Sequence, residues 1–171
     1  MILEGNNYST NVRRASVITT QRVITKGIAD FVDTAHLGYS FGDMLAAASY
    51  CQKLGVTFPE EDYLILSDEY DNTWPVRINH IGDNVKTKVG EAVITFTVED
   101  DRFMWVPGFL ADIFVQMNYR YTFGEKDRVF PNLYELDEHV MQYGLPDKFR
   151  LEPHYTQLMS VHYSGKPDDK N

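Results

Sequence analysis

Apolar and polar positions change period several times along the 171 residues, and each change predicts an element. Ala92, Ile94, Phe96 and Val98 alternate with Val93, Thr95 and Thr97, the period of two of a strand with one side more buried. A longer alternation through Ile113, Val115, Met117, Tyr119, Tyr121 and Phe123 predicts a further strand, closed by Gly124 and the charged residues 125–128. Tyr63 to Leu66 and Val76 to Ile81 read as short strands on either side of an acidic loop over 67–75, and Gly82-Asp83-Asn84 reads as a turn. Three stretches carry helical signals. Residues 27–37 lie between Gly27 and Gly38. Phe41 to about Leu54 follows a capping-box spacing in Ser40-Phe41-Gly42-Asp43 and ends at Gly55. Asn132 to Tyr143 carries Leu133, Leu136, Val140 and Tyr143 on one stripe, before Gly144 and Pro146.

Ser16 to Thr25 is rich in β-branched residues and has no evident place in that sheet. Residues 1–25 are therefore expected to form an extended N-terminal arm, 26–163 the folded domain, and 164–171 a polar tail, with 147–163 irregular. Strands gathered in the middle with helices at the flanks point to an α+β fold. The expectation is an antiparallel sheet of about four to five strands with two helices packed on it. A chain of this length buries about 70% of its unfolded surface, enough for a core without staples.

Charge changes this picture more than composition does. The net charge is −9, yet residues 1–29 carry Arg13, Arg14, Arg22 and Lys26 against Glu4 alone, which leaves −12 for the rest. An acidic body repels phosphate backbones, so direct nucleic-acid binding is not expected. A basic arm can dock on an acidic neighbour by attraction and add a strand to its edge, or it can simply be solvated. The opening Met1–Asn7 has no basic and no apolar segment of a signal peptide, and no apolar run approaches the roughly 20 residues of a membrane span. A protein made in a cytoplasm, with no membrane partner, is the expectation, and the lone Cys51 fits a reducing compartment.

Chemistry is sparse. His36, His80, His139, His154 and His162 show no metal-ligand spacing, and Asp68, Glu69, Asp71 and Asn72 lack the alternation and central glycine of a calcium loop. Nucleophile-elbow and phosphate-loop motifs are missing, and Cys51 sits on a helical stripe as a small core residue. No enzyme activity and no cofactor are expected. Aromatic residues make up 13% of the chain. The apolar stretch Phe103 to Leu110, interrupted by Pro107 and Gly108, reads as a loop. There Phe103, Trp105 and Phe109 either plug the protein's own core or meet a partner.

Residues 41–123 resemble small α+β virion structural proteins of large-genome tailed bacteriophages. The resemblance lies in Leu54-Gly55-Val56-Thr57 with Glu61-Asp62, in Ile94-Thr95-Phe96-Thr97-Val98, in Phe103, Trp105 and Gly108, and in Met117-Asn118-Tyr119-Arg120 as a strand edge. It implies no catalytic residues. It implies a structural subunit of neck, tail or head-completion type, assembled in the host cytoplasm into the virion, partnered by copies of itself and by other structural proteins. The charge balance also admits an acidic regulatory or inhibitory protein that covers a host protein.

Overall fold

The computed structural model describes residues 11–38, 57–122 and 159–167, with Met44, Leu45, Ala48, Ser49 and Gln52 between them. In chain order the elements are β1 (Arg14–Thr19), α1 (Ile28–His36), α2 (Glu60–Tyr70), β2 (Val76–His80), β3 (Ala92–Val98), a 3-10 turn (Asp101–Phe103), α3 (Val106–Thr122) and β4 (Met159–Ser164). The fold is α+β, with four antiparallel strands in the order β2-β3-β1-β4.

β1 corrects the expectation of an arm. From residue 11 onward the leading segment belongs to the body; residues 1–10 lie outside the described residues. Ala15 pairs with Phe96 on one side and Tyr163 on the other, and Val17 with Ile94 and Val161. Ala15 and Val17 are fully buried. Their side chains point to the face that carries Phe96, Ile94 and Val98, over which α3 packs against β1, β3 and β4. The sequence period is that of a half-buried strand, and its partners lie far away in the chain, so no local pattern marks it as interior. β4 corrects the second boundary: residues 159–163, expected as irregular, and Ser164, expected in the polar tail, together pair along the whole of β1.

Two further expectations change from strand to helix. Tyr63 to Leu66 lies in α2, whose first turn holds Glu60, Glu61 and Asp62, carboxylates favoured by the partial positive charge of a helix N-terminus. Tyr63 and Leu66, three apart, are both fully buried, so burial follows the helical period. The acidic loop shortens accordingly, because helix runs to Tyr70 and turns off through left-handed Asp71 and Asn72. Residues 113–122 lie in α3, which also takes in the expected aromatic loop from Val106 and the resemblance's strand edge at Met117–Arg120. Ile113, Phe114, Val115, Met117, Tyr119 and Tyr121 supply enough apolar positions there to fit alternation and helical spacing alike. Val106, Leu110, Phe114 and Asn118, four apart, are all buried. Pro107 is no obstacle, since the first turn of a helix has no use for its missing N–H.

The expected strands over 76–81 and 92–98 and the short helix over 27–37 are present as β2, β3 and α1. Of the expected helix from Phe41 to Leu54, the described residues Met44, Leu45, Ala48, Ser49 and Gln52 are helical. The one from Asn132 lies outside the described residues. α1 ends at Gly38, whose φ of +73° suits glycine, and a Cβ there would run into the carbonyl oxygen of Asn72. This contact seats the end of α1 against the turn that closes α2.

Deleting residues 1–25 is expected to remove the interior strand and with it the cooperative thermal transition, read by circular dichroism. A body that kept its transition would be inconsistent with this sheet. Gly38→Ala, with backbone strain and collision together, is expected to cost about 2 kcal/mol or more in chemical denaturation.

Candidate interaction surface

The seven residues expected to meet a partner have separate fates. Phe103, Trp105 and Phe109 are buried at 0%, 4% and 3% exposure in the protein's own core. Trp105 packs edge-on to Trp74 at 6.1 Å and to Phe109 at 5.9 Å, so these rings hold the fold and present no surface. Arg13 is engaged by its own body: its guanidinium pairs with Asp101 and donates to the Glu99 carbonyl at 2.9 Å. Arg14 is exposed on the outer face of the sheet, opposite Thr97.

Arg22 and Lys26, by contrast, come together with two cations that lie some 60 residues on. Residues 22–26 run antiparallel to 84–88, with Ile24 directly opposite Lys86. Main-chain bonds from Thr25 to Val85 (3.0 Å) and from Thr87 to Val23 (2.9 Å) flank that pair. Alternation then sorts the side chains. Val23, Thr25, Val85 and Thr87 turn inward. Arg22, Ile24, Lys26, Asn84, Lys86 and Lys88 turn outward and are exposed, Ile24 by 57%. The register sets Arg22 beside Lys88 and Lys26 beside Asn84. The result is a short ribbon with four cations on one face, about 13 Å long and about 5 Å across.

Two buried threonines make the ribbon rigid where regular pairing is too short to do so. Thr25 is 1% exposed; its hydroxyl donates to the Gly82 carbonyl (2.8 Å) and accepts from the Val85 N–H (2.9 Å). Thr87, 2% exposed, accepts from the Val23 N–H (3.0 Å) and donates to the Val23 carbonyl (3.1 Å). Asp83, in the turn that opens the second segment, accepts from the first N–H groups of α1 at Ile28 (2.8 Å) and Ala29 (3.2 Å). It thereby supplies the N-terminal cap that Gly27 cannot. From the α3 side, the Asn118 amide donates to the Lys26 carbonyl at 3.1 Å.

None of the four cations makes an ion pair among the described residues. Like charges about 7 Å apart repel by roughly 0.6 kcal/mol per pair in water, and more where a partner excludes water. The ribbon therefore favours an anionic surface. A sequence signal for Lys86 and Lys88 existed in the alternation of residues 84–88, but nothing local ties it to Arg22 and Lys26.

The acidic helix α2 is held at the opposite pole of the charge balance by a network of its own. The Tyr70 hydroxyl donates to Asp100 (2.8 Å), Arg102 donates to Asp100 (2.6 Å) and also pairs with Glu69, and the Trp105 indole donates to Asp62 (2.7 Å). Hydrogen bonds from Arg102 hold the Asp100 carboxyl well below the usual carboxylate range despite partial burial, and they keep Arg102 protonated. The Tyr70 hydroxyl is pushed up because it donates to Asp100. Burial pushes Asp62 up, opposed by the Trp105 indole. Among the described residues no group of three or more His, Cys, Asp or Glu side chains is placed to hold a metal, and no helix is long and apolar enough to cross a membrane. Comparison with protein-family models and with curated proteins yields no match, so what the ribbon can hold follows from its own chemistry.

Thr25→Val and Thr87→Val each leave main-chain groups without partners and are expected to cost about 1–3 kcal/mol in denaturant unfolding. Asp100 has a folded pKa below its unfolded value near 3.9, so its contribution is complete above that value and lost as pH falls through the folded one. Asp62, shifted the other way, takes up its proton earlier when folded and gains stability as pH falls toward about 4. Asp100→Asn is expected to flatten the decline of the melting temperature below about pH 4, and Asp62→Asn to leave that decline in place.

Proposed function

We propose that this protein is a non-enzymatic structural assembly protein, a bacteriophage virion subunit of neck, tail or head-completion type. It joins copies of itself and other structural subunits by seating their acidic surfaces on the ribbon formed by residues 22–26 and 84–88. The single observation that carries this reading is the display of Arg22, Lys26, Lys86 and Lys88, unpaired among the described residues, on one fastened ribbon of a chain whose net charge is −9. Charges arranged this way steer encounter and set orientation more than they add raw affinity, as repeated subunit contacts require. The resemblance to tailed-phage virion proteins, without its strand edge at Met117–Arg120, which is helical, supports the setting, in which assembly takes place in the host cytoplasm.

The route of assembly differs from the arm that the sequence suggests. Residues 14–19 are an interior strand, so they are not free to complete a neighbour's sheet. Of the basic residues in that segment, Arg14 stands exposed on the outer face of the sheet, and Arg22 and Lys26 share the ribbon presented by the body itself.

Sedimentation velocity of the full chain is the test. Oligomers are expected at about 50 mM salt, with dissociation by about 500 mM as the charges are screened. Arg22→Ala combined with Lys86→Ala should weaken association at least tenfold at low salt while the melting temperature stays within a few degrees. A wild-type chain that is monomeric at every concentration and salt would overturn the reading.

A further inference from the structure

Resting on that assembly reading, we infer that the ribbon's partner is the outward stripe of α2 on a second copy of this chain. The two surfaces match in charge, in apolar content and in spacing. On the ribbon, Ile24 stands between two cations, Arg22 and Lys26, each two residues away in extended chain, which is about 6.6 Å. On α2, Leu64 stands between two carboxylates, Glu60 and Asp68, each four residues away on the same helical stripe, which is about 6 Å. Ile24 is 57% exposed and Leu64 53% exposed, so each presents an apolar side chain in the middle of its charged stripe.

The ends match as well. Arg22 has Lys88 beside it, whereas Lys26 has the neutral Asn84. Three and four residues from Leu64 stand Glu60 and Glu61 on one side and Ser67 and Asp68 on the other, while Glu69, next to Asp68, is taken up by Arg102. Two cations therefore meet two carboxylates at one end and one meets one at the other, which fixes a single orientation. α2 contains no Lys or Arg, and Glu60, Glu61 and Asp68 make no ion pair among the described residues. A shallow, open depression lies along Leu64, Ile65, Ser67 and Asp68. Ribbon and helix are different surfaces, so the contact runs head to tail. Repeated, it closes into a ring or continues as a helical filament.

Charge reversal on each surface gives a test in which the two variants check one another. One variant carries Arg22→Glu, Lys26→Glu and Lys88→Glu; the other carries Glu60→Lys, Glu61→Lys and Asp68→Lys. Each alone is expected to lose association at least tenfold by sedimentation, and an equimolar mixture is expected to recover it, because every contact then joins opposite charges again. Glu60→Gln with Asp68→Gln, milder at the helix N-terminus, should give a smaller loss with an unchanged circular dichroism spectrum. The inference is overturned if the α2 variants associate like wild type while the ribbon variant does not; the assembly reading then stands with a different acidic partner. It is also overturned if the mixture fails to recover, or if the ribbon of a monomeric wild type binds duplex DNA or anionic vesicles instead.

Discussion

A strand held between two others must pass its main-chain donors and acceptors to both neighbours, and β1 is that strand here. It joins β3 on one side and β4 on the other, and its Ala15 and Val17 form the floor on which α3 rests. The Phe31 ring, 5.9 Å from Phe96 and 5.3 Å from Phe114 between centroids, closes over the same floor. With β1 in place the chain leaves the sheet at Thr19, and residues 22–26 come to lie against 84–88. The basic surface is thus a direct continuation of the interior strand. A segment that looks like a detachable arm is instead the axis around which the remainder is arranged.

The parts of the fold legible in the sequence are those whose cause is local. Gly27 and Gly38 bracket α1, and both adopt positive φ. The alternation of 92–98 marks β3, and Gly82-Asp83-Asn84 marks the turn after β2. The parts that were not legible depend on what lies across the structure. Nothing near Ser16 announces that Thr95 will stand opposite it, its hydroxyl 3.0 Å away. Residues 113–122 carry enough apolar positions to satisfy either period, and packing against β1 and β3 decides for helix. Tyr63 to Leu66 is too short a run to distinguish strand from helix until the carboxylates before it are read as a helix start.

The surface was legible in half. Arg22 and Lys26 stand out as cations in an acidic chain, but Lys86 and Lys88 look like ordinary solvated residues until the bridge between Ile24 and Lys86 joins the segments. The aromatic residues illustrate the converse. Phe103, Trp105 and Phe109 have the composition of an interface centre, yet that composition also suits a core, and the 3-10 turn followed by α3 carries them inward. Residue type narrows the chemistry of a surface, while topology decides which residues share it.

The pairing of β1 with β4 joins Arg14 to Ser164, 150 positions apart. During synthesis at about 5–20 residues per second, β1 leaves the ribosome roughly seven to thirty seconds before its second neighbour exists. Until then Ala15 and Val17 belong to a nascent sheet with an open flank, a state in which identical chains on one message can pair with each other. The non-local closure of the last strand therefore moves the open flank of the sheet from β1 to β4 only at the end of synthesis.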